Sequence, residues 1–283
     1  MGKINSISIF QQRYPQRLKE IATVPKQLYF RGKLPDDSRK FVAIIGTRKP
    51  TRYGVEVTQN LARRLAERGV VIVSGLALGV DALAHRGALD GKGLTIAVFA
   101  HGVDDISPRT NYQLGLEIEK TGALISEYKP GTAVPYKAAF LERNRIVSGL
   151  SDAVIVTEAS LRSGTSNTVA NALQQGRDVY AVPGPITSPM SQGCNHLIAQ
   201  GATPIVDIDA FVDQFAPVHA DAQPTLAYSS SEETILNLIR QGLRDGDEIH
   251  AKSQLDAGLF AETLTMLELR GAIKPLGANQ WSL

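Results

Sequence analysis

The stretch Phe41-Val42-Ala43-Ile44-Ile45-Gly46-Thr47-Arg48-Lys49-Pro50-Thr51-Arg52-Tyr53-Gly54 runs from an unbroken apolar segment through a glycine into a basic turn. A helical pattern follows, in which Val57, Leu61 and Leu65 recur before Gly69 stops it. An apolar run without polar alternation marks a strand covered on both faces. Six more runs of this kind follow: Val70–Ser74, Leu94–Ala100, Ala123–Glu127, Ala153–Thr157, Val179–Val182 and Thr203–Val206. Between them, Leu78–Leu89, Tyr112–Thr121, Arg143–Leu150 and Thr165–Gln175 read as helices. The alternation predicts an α/β fold with a doubly wound, mostly parallel sheet. Ligands on such sheets sit beyond the carboxyl ends of the strands.

Working outward, residues 1–38 read as a short N-terminal leader, punctuated by Tyr14-Pro15 and Gly32-Lys33-Leu34-Pro35. Residues 39–215 form the sheet domain. Residues 216–231, rich in Ala, Pro and Ser, read as a linker. Residues 232–283 form a small domain: a helix begins near Ile235, His250–Gln254 and Leu259–Arg270 give two more, and Ile273–Leu283 reads as a β-ribbon. Three helices and a ribbon are the outline of a winged helix. At 283 residues, 43% hydrophobic and 20% charged, the chain has ordinary globular composition, so a disordered, collagen-like or coiled-coil chain is excluded. A lone cysteine, Cys194, excludes an internal disulfide framework and a cysteine-based zinc site, and fits a reducing compartment. No apolar run reaches the roughly 18 residues of a spanning helix, and the N-terminus carries no signal-peptide core. A cytoplasmic protein is expected.

The strand ends carry the chemistry. The net charge is only +2, yet Phe41–Val55 holds three basic residues and no acid. Gly46 permits close backbone approach, Thr47 follows it, Arg48 can grip an anion bidentately, and the next helix offers amide donors at its start. The turn is neither the G-x-G-x-x-G dinucleotide fingerprint nor a phosphate-binding P-loop, so no nicotinamide or ATP cofactor is expected. After the second strand, two glycines flank a turn in Ser74–Asp81, and Asp81 is placed to cap the following helix. His85 reads as structural, and the five histidines make no metal-ligand spacing. The fifth strand leads into Ser163-Gly164-Thr165, and Ala159–Arg177 again holds two basic residues and no acid. A Ser-Gly-Thr turn that opens a helix is the chemistry of a phosphate cradle. Upstream, Tyr136–Arg145 places Lys137 and Phe140 beside Arg143 and Asn144. Phosphates suit Lys137 and Arg143, a base edge suits Asn144, and Phe140 suits either stacking or the core. No nucleophile triad assembles. Binding of a phosphate-bearing polymer or nucleotide is the better reading than catalysis. Residues 231–283 carry five basic against eight acidic residues, net −3. That balance suits a protein contact or a regulatory role better than duplex binding.

At these motifs the chain resembles the DprA/Smf family of bacterial DNA-processing proteins. The resemblance is carried by Ile45-Gly46-Thr47-Arg48, by Ser74–His85, by Ser126–Thr132 and by Arg143–Ser151. It continues through Ser163-Gly164-Thr165, Gly176-Arg177, Ala181-Val182-Pro183-Gly184 and Gly193–Ile198. It implies an extended Rossmann-like domain that binds single-stranded DNA in a basic pocket, without catalysis, cofactor or metal. It also implies a homodimer that protects incoming DNA and loads the recombinase RecA during natural transformation and homologous recombination. Mapped onto this sequence, the implied DNA-binding residues are Gly46, Thr47, Arg48, Lys137, Phe140, Arg143, Asn144, Ser163, Gly164 and Thr165. The helical N-terminal domain common in the family is not expected ahead of the leader. Ile106-Ser107-Pro108, Lys129 and Leu141 depart from the family's usual residues in the loops.

Two other readings stand beside this one. A nucleotide phosphoribohydrolase of the related superfamily would need a P-G-G-x-G-T-x-x-E loop. Here the Pro-Gly-Gly is missing and Thr168 stands at the glutamate position, which leaves N-glycosidic cleavage without its acid–base partner. A nucleotide-binding sensor would hold a mononucleotide and signal through the acidic domain.

Overall fold

In a computed structural model of the chain, the residues described are 2–133, 136, 138–217, 229–269 and 272–282. They fall into two compact units, one ending at Pro217 and the other beginning at Ser229. The first unit runs β1 (Asn5–Ser8), β2 (Gln27–Gly32), β3 (Phe41–Gly46), α1 (Arg52–Glu67), β4 (Val71–Ser74), α2 (Val80–Asp90) and β5 (Thr95–Phe99). It continues with α3 (Tyr112–Thr121), β6 (Ala123–Ser126), α4 (Ala139–Gly149), β7 (Ala153–Glu158), α5 (Thr165–Gln174), β8 (Asp178–Ala181), α6 (Gln192–Ala199), β9 (Thr203–Pro204) and α7 (Ile208–Phe215).

One sheet contains all nine strands, in the order β1-β2-β6-β5-β4-β3-β7-β8-β9. From β6 to β9 every pairing is parallel, as the apolar runs predicted. From β3 the chain moves through β4 to β5 on one side and later through β7 to β8 on the other. The β3/β7 boundary is therefore the topological switch point, where the loops leaving both strands part and open a crevice.

Both faces of the central strands are covered. On one face Val42 and Ile44 pack with Leu61 and Leu65 of α1 and Ala84 and Ala88 of α2. On the other, Ala43, Ile45, Val154 and Val156 meet Ile146 and Val147 of α4, Val169 and Ala172 of α5, and Cys194. Each large aliphatic buried this way contributes about 1.5–3 kcal/mol, which is why a continuous apolar strand stays in the middle of the sheet. Helix α1 begins at Thr51, whose hydroxyl accepts from the Gly54 amide at 3.2 Å, and it stops before Gly69 at φ +78°.

The stretch read as a leader is built into the sheet. Residues 5–8 and 27–32 supply β1 and β2, and β2 pairs antiparallel with β6, Tyr29 opposite Ser126. Arg31, fully buried, locks β2 to α3 through Glu119 and also donates to Val103 O at 3.2 Å. β2 is set by a partner about 95 residues away and β1 in turn by β2, so local pattern did not show them. The helix expected at Arg143 starts four residues earlier, at Ala139, and the last strand pairs only over Thr203–Pro204.

The second unit holds α8 (Ser230–Arg240), α9 (Gly246–Ser253), α10 (Ala257–Leu269), β10 (Lys274–Gly277) and β11 (Gln280–Ser282). A capping box between Ser229 and Glu232 starts α8. Asp245 starts α9 by accepting from the Asp247 and Glu248 amides, so this helix begins four residues before the His250–Gln254 expected from the sequence and overlaps it through Ser253. Ile235, Leu236, Ile239, Ile249, Phe260, Leu264 and Leu267 make its core. Most of the stretch read as a linker, residues 218–228, lies outside the described residues.

Candidate functional site

The switch point opens as a cleft of about 560 Å³ between the loops that follow β3, β4 and β7, with α4 along one side. It brings together Gly46, Thr47, Arg48, Phe140, Arg143, Asn144, Ser163, Gly164 and Thr165. Lys137 lies outside the described residues. These residues come from three separate chain segments, and the parallel sheet places those segments side by side.

The rim is cationic. Arg48, Lys49 and Arg162 line the cleft, are exposed, and form no ion pair among the described residues. Phe140 stands at the rim 37% exposed, which resolves its reading in favour of an accessible ring rather than a core one.

Two helices begin at this switch point, and they differ. The start of α1 is already filled. Glu158, at the end of β7 and 2% exposed, accepts from the Thr51 amide at 2.8 Å and from the Thr51 hydroxyl at 2.7 Å. Its carboxylate lies where a Cβ on Gly54 would have to go. The expectation that α1 offers free amides to a ligand is therefore corrected: the protein's own carboxylate occupies that positive end. The close approach at Gly46 is likewise internal, since a Cβ there would meet Glu158 O at 2.5 Å and Val80 Cγ2 at 2.7 Å. Thr47 is partly tied down, its amide donating to Glu158 O and its carbonyl accepting from the Val80 amide.

Helix α5 is the opposite case. Its first turn holds no acid, and a Cβ on Gly164 would meet nothing within 4 Å. The Ser163 hydroxyl donates to Thr165 Oγ1 at 2.6 Å and accepts from the Thr165 amide at 3.0 Å, which sets the turn. The Thr165, Ser166 and Asn167 amides bond within the turn, to Ser163 Oγ, Ser163 O and Gly164 O, so this end offers an anion its open approach and the positive helix end beside Arg162 rather than unpaired amides.

The floor holds Gly75, Ala77, Asp81 and Arg143. Arg143 is 6% exposed and donates through Nη1 to Val98 O at 2.6 Å. It was expected to hold a phosphate; instead it braces the floor, its guanidinium filling the space a side chain on Gly75 would need. Asp81 does not cap α2. Its Oδ2 accepts from the Gly75 amide at 3.1 Å and more weakly from the Ala77 amide at 3.4 Å, holding the loop after β4 in place. Burial pushes the Asp81 carboxyl above its ordinary range, while nearby Arg143, the two amides and the Ser74 hydroxyl pull it back. His85 lies below, fully buried, with Nδ1 at 2.7 Å from Thr95 Oγ1. The Thr95 hydroxyl gives its proton to Ile72 O, so Nδ1–H is the donor to it. Burial, aided by Arg143, lowers its pKa to about 3. Asn144 donates to Asn167 at 3.3 Å, bridging α4 and α5.

Sequence reasoning missed Lys49, Arg162 and Asp81 as lining residues, although the acid-free loops that hold the first two were its main signal. Met190, with Sδ 3.7 Å from Thr47 Oγ1, comes from the loop after β8 and has no local signal at all. Among the described residues no group of three or more His, Cys, Asp or Glu could hold a metal, and no helix is long and apolar enough to cross a membrane.

Comparison with known proteins agrees with this architecture. The family model for DNA recombination-mediator protein A matches residues 5–216, and the model for the DprA winged helix domain matches residues 216–279. DNA processing protein DprA of Bacillus subtilis is 43% identical over 203 residues, covering 71% of this chain and 68% of that protein. Protein Smf of Escherichia coli is 38% identical over 242 residues, covering 83% of this chain and 64% of that one. The chain thus spans about two thirds of the length of these relatives. The structure of DNA processing protein A from Streptococcus pneumoniae superposes with a TM-score of 0.71 at 40% identity, covering 75% of this chain and 74% of that one. DNA processing protein A from Helicobacter pylori, solved for its single-stranded DNA binding mode, superposes with a TM-score of 0.68 at 36% identity over 76% of this chain and 96% of that one. With an extended parallel sheet, a winged helix unit and this level of identity, the chain belongs to the DprA/Smf family of DNA-processing proteins.

Proposed function

We propose that this chain is a non-enzymatic single-stranded DNA-binding protein. On this reading it protects incoming DNA and loads RecA recombinase onto it during natural transformation and homologous recombination, acting as a homodimer in the cytoplasm. The observation that carries the DNA reading is the cleft at the switch point. Three cations without an ion pair among the described residues, an exposed aromatic ring and an acid-free helix start converge there, which is the chemistry of a phosphate backbone with stacked bases. Kinship with a Helicobacter pylori protein studied for single-strand binding supports it. The only carboxylate among the described lining residues, Asp81, is held by backbone amides, and Thr168 is buried where a hydrolase would need glutamate, so nucleotide hydrolysis has little support.

A mononucleotide sensor is the second reading, because a cleft of about 560 Å³ would also hold one nucleotide. Fluorescence anisotropy with oligonucleotides of increasing length, against matched duplex and at several salt concentrations, separates the two. A polymer site gives affinity that rises with length and a log–log salt slope of about −2 for three neutralised phosphates. The double variant Arg48→Ala/Lys49→Ala should lower the magnitude of that slope by about 1.4. An unchanged slope and affinity in that variant would show the binding site to be elsewhere.

A further inference from the structure

The leader residues are one-sidedly charged. Residues 1–33 hold seven basic residues and one acid, Glu20. Glu20 pairs with Arg177, Arg17 with Asp37 and Asp152, and the buried Arg31 with Glu119. Lys3, Arg13, Lys19, Lys26 and Lys33 are left exposed, with no ion pair among the described residues. A surface of one sign attracts an anionic partner.

A second cavity, of about 760 Å³, opens among these residues. Ile7, Tyr14, Phe41, Ile96 and Leu150, all buried, give it an apolar floor, and Phe30 lines it only partly buried. Arg13, Lys33 and Arg39 line it from exposed positions. Of its two acids, Asp37 is held by Arg17 at 3.0 Å and Asp36 by the Ser38 amide at 2.9 Å. Phe10, two residues before the lining residue Gln12, is 94% exposed. Cations interleaved with accessible aromatic rings suit a phosphate backbone whose bases are unstacked. An acidic peptide would satisfy the cations, but the two phenylalanine rings favour bases, because every base has a face that stacks.

This cavity and the cleft lie at opposite ends of the sheet. Phe41 begins β3 and lines the cavity, whereas Gly46 ends β3 and lines the cleft. The rise of the strand sets these two residues about 17 Å apart. Helix α4 runs between the two openings: Asn144 and Val147 line the cleft, and Leu150 at its end lines the cavity.

We propose that the leader face is a second contact surface for single-stranded DNA, which takes the part of the strand that leaves the cleft, with Arg13 and Lys33 on phosphates and Phe10 against a base. This rests on the single-strand reading and extends it beyond the switch point. The cleft binds a short strand by itself, and the leader adds contacts only when the strand is long enough to reach it.

The test is fluorescence anisotropy on the full chain with oligothymidylates of about four and about thirty nucleotides. On the parent, the long strand should bind about tenfold tighter or more and add about 1.4 to the magnitude of the salt slope. Arg13→Gln/Lys33→Gln should remove that added slope and leave the short strand unchanged. Phe10→Ala should weaken the long strand about fivefold at an unchanged slope. These side chains are exposed, so the thermal melts of the variants should match that of the parent. An unchanged long-strand slope in the double variant overturns the inference alone, whatever Phe10→Ala shows. So does an equal loss for both strands, which marks a general field effect. Labelled poly-L-glutamate that binds the parent as tightly as the long strand, and loses that binding in the double variant, assigns the face to an acidic protein segment instead. Absence of binding to either strand overturns the single-strand reading and this surface with it.

Discussion

Replacing Glu158 by glutamine probes the feature that most changes the reading of this site. The carboxylate is 2% exposed and makes two short bonds to Thr51, 2.8 Å from the amide and 2.7 Å from the hydroxyl. Hydrogen bonds to a charged group contribute about 1.5–3 kcal/mol each, and an anion at a helix start about 0.3–1 kcal/mol more. Glutamine keeps one acceptor and loses the charge. Its amide nitrogen must face either the Thr51 amide, where two donors oppose, or the Thr51 hydroxyl, which already accepts from Gly54. One charged bond and the dipole contribution are lost, about 2–4 kcal/mol in all. For a unit of this size that corresponds to a fall in Tm of roughly 5–15 °C. Urea denaturation of parent and variant measures it, and repeating the melts with inorganic phosphate tests the anion site. Phosphate should protect the variant more than the parent, because only in the variant does the start of α1 lack a resident negative charge. A stability loss under about 0.5 kcal/mol, or equal phosphate protection of both proteins, would refute the account of Glu158 as the resident anion of α1.

His85 makes stability depend on pH in a defined direction. Its pKa is about 3 in the folded chain and about 6.5 when unfolded, so between these values only the unfolded chain takes the proton and the fold loses stability as pH falls. Unfolding free energies from urea melts at pH 7 and pH 5 should differ by about 2 kcal/mol from this group, and His85→Asn should remove that part. Gly79 sits at φ +79° and ψ −130°, with Thr47 O where a Cβ would go. Gly79→Ala should therefore cost more than about 2 kcal/mol in thermal or urea melts, whereas Gly164→Ala, with open space and ordinary φ, should cost about 1 kcal/mol or less. A chain ending at residue 217 should keep single-strand affinity within about threefold and an unchanged salt slope, because the removed unit is net acidic and neutralises few phosphates. A collapse of affinity in the truncated chain would assign DNA contacts to the winged helix unit.

The sequence alone determined the class of fold. Unbroken apolar runs such as Phe41–Ile45 and Ala153–Val156 are stable only between two covering layers, and the helical patterns between them leave a parallel sheet as the arrangement. It also marked the strand-end loops, because a basic turn without an acid is visible as local charge. Tertiary structure decided which of those charges are available. Arg48 and Arg143 look alike on the page of residues, yet one is exposed at the rim and the other is buried against Val98. Both helix starts look like anion sites, yet Glu158 reaches back about a hundred residues to close one of them, and nothing in the local sequence of α1 announces it. The same holds for β2, a short strand given its place by β6 and by the buried Arg31–Glu119 pair, and for β1, which pairs with β2. Composition and periodicity report what a segment needs from its surroundings. Whether a particular charge or amide is left for a ligand depends on which distant group the fold sets against it, and that contact is a property of three-dimensional proximity.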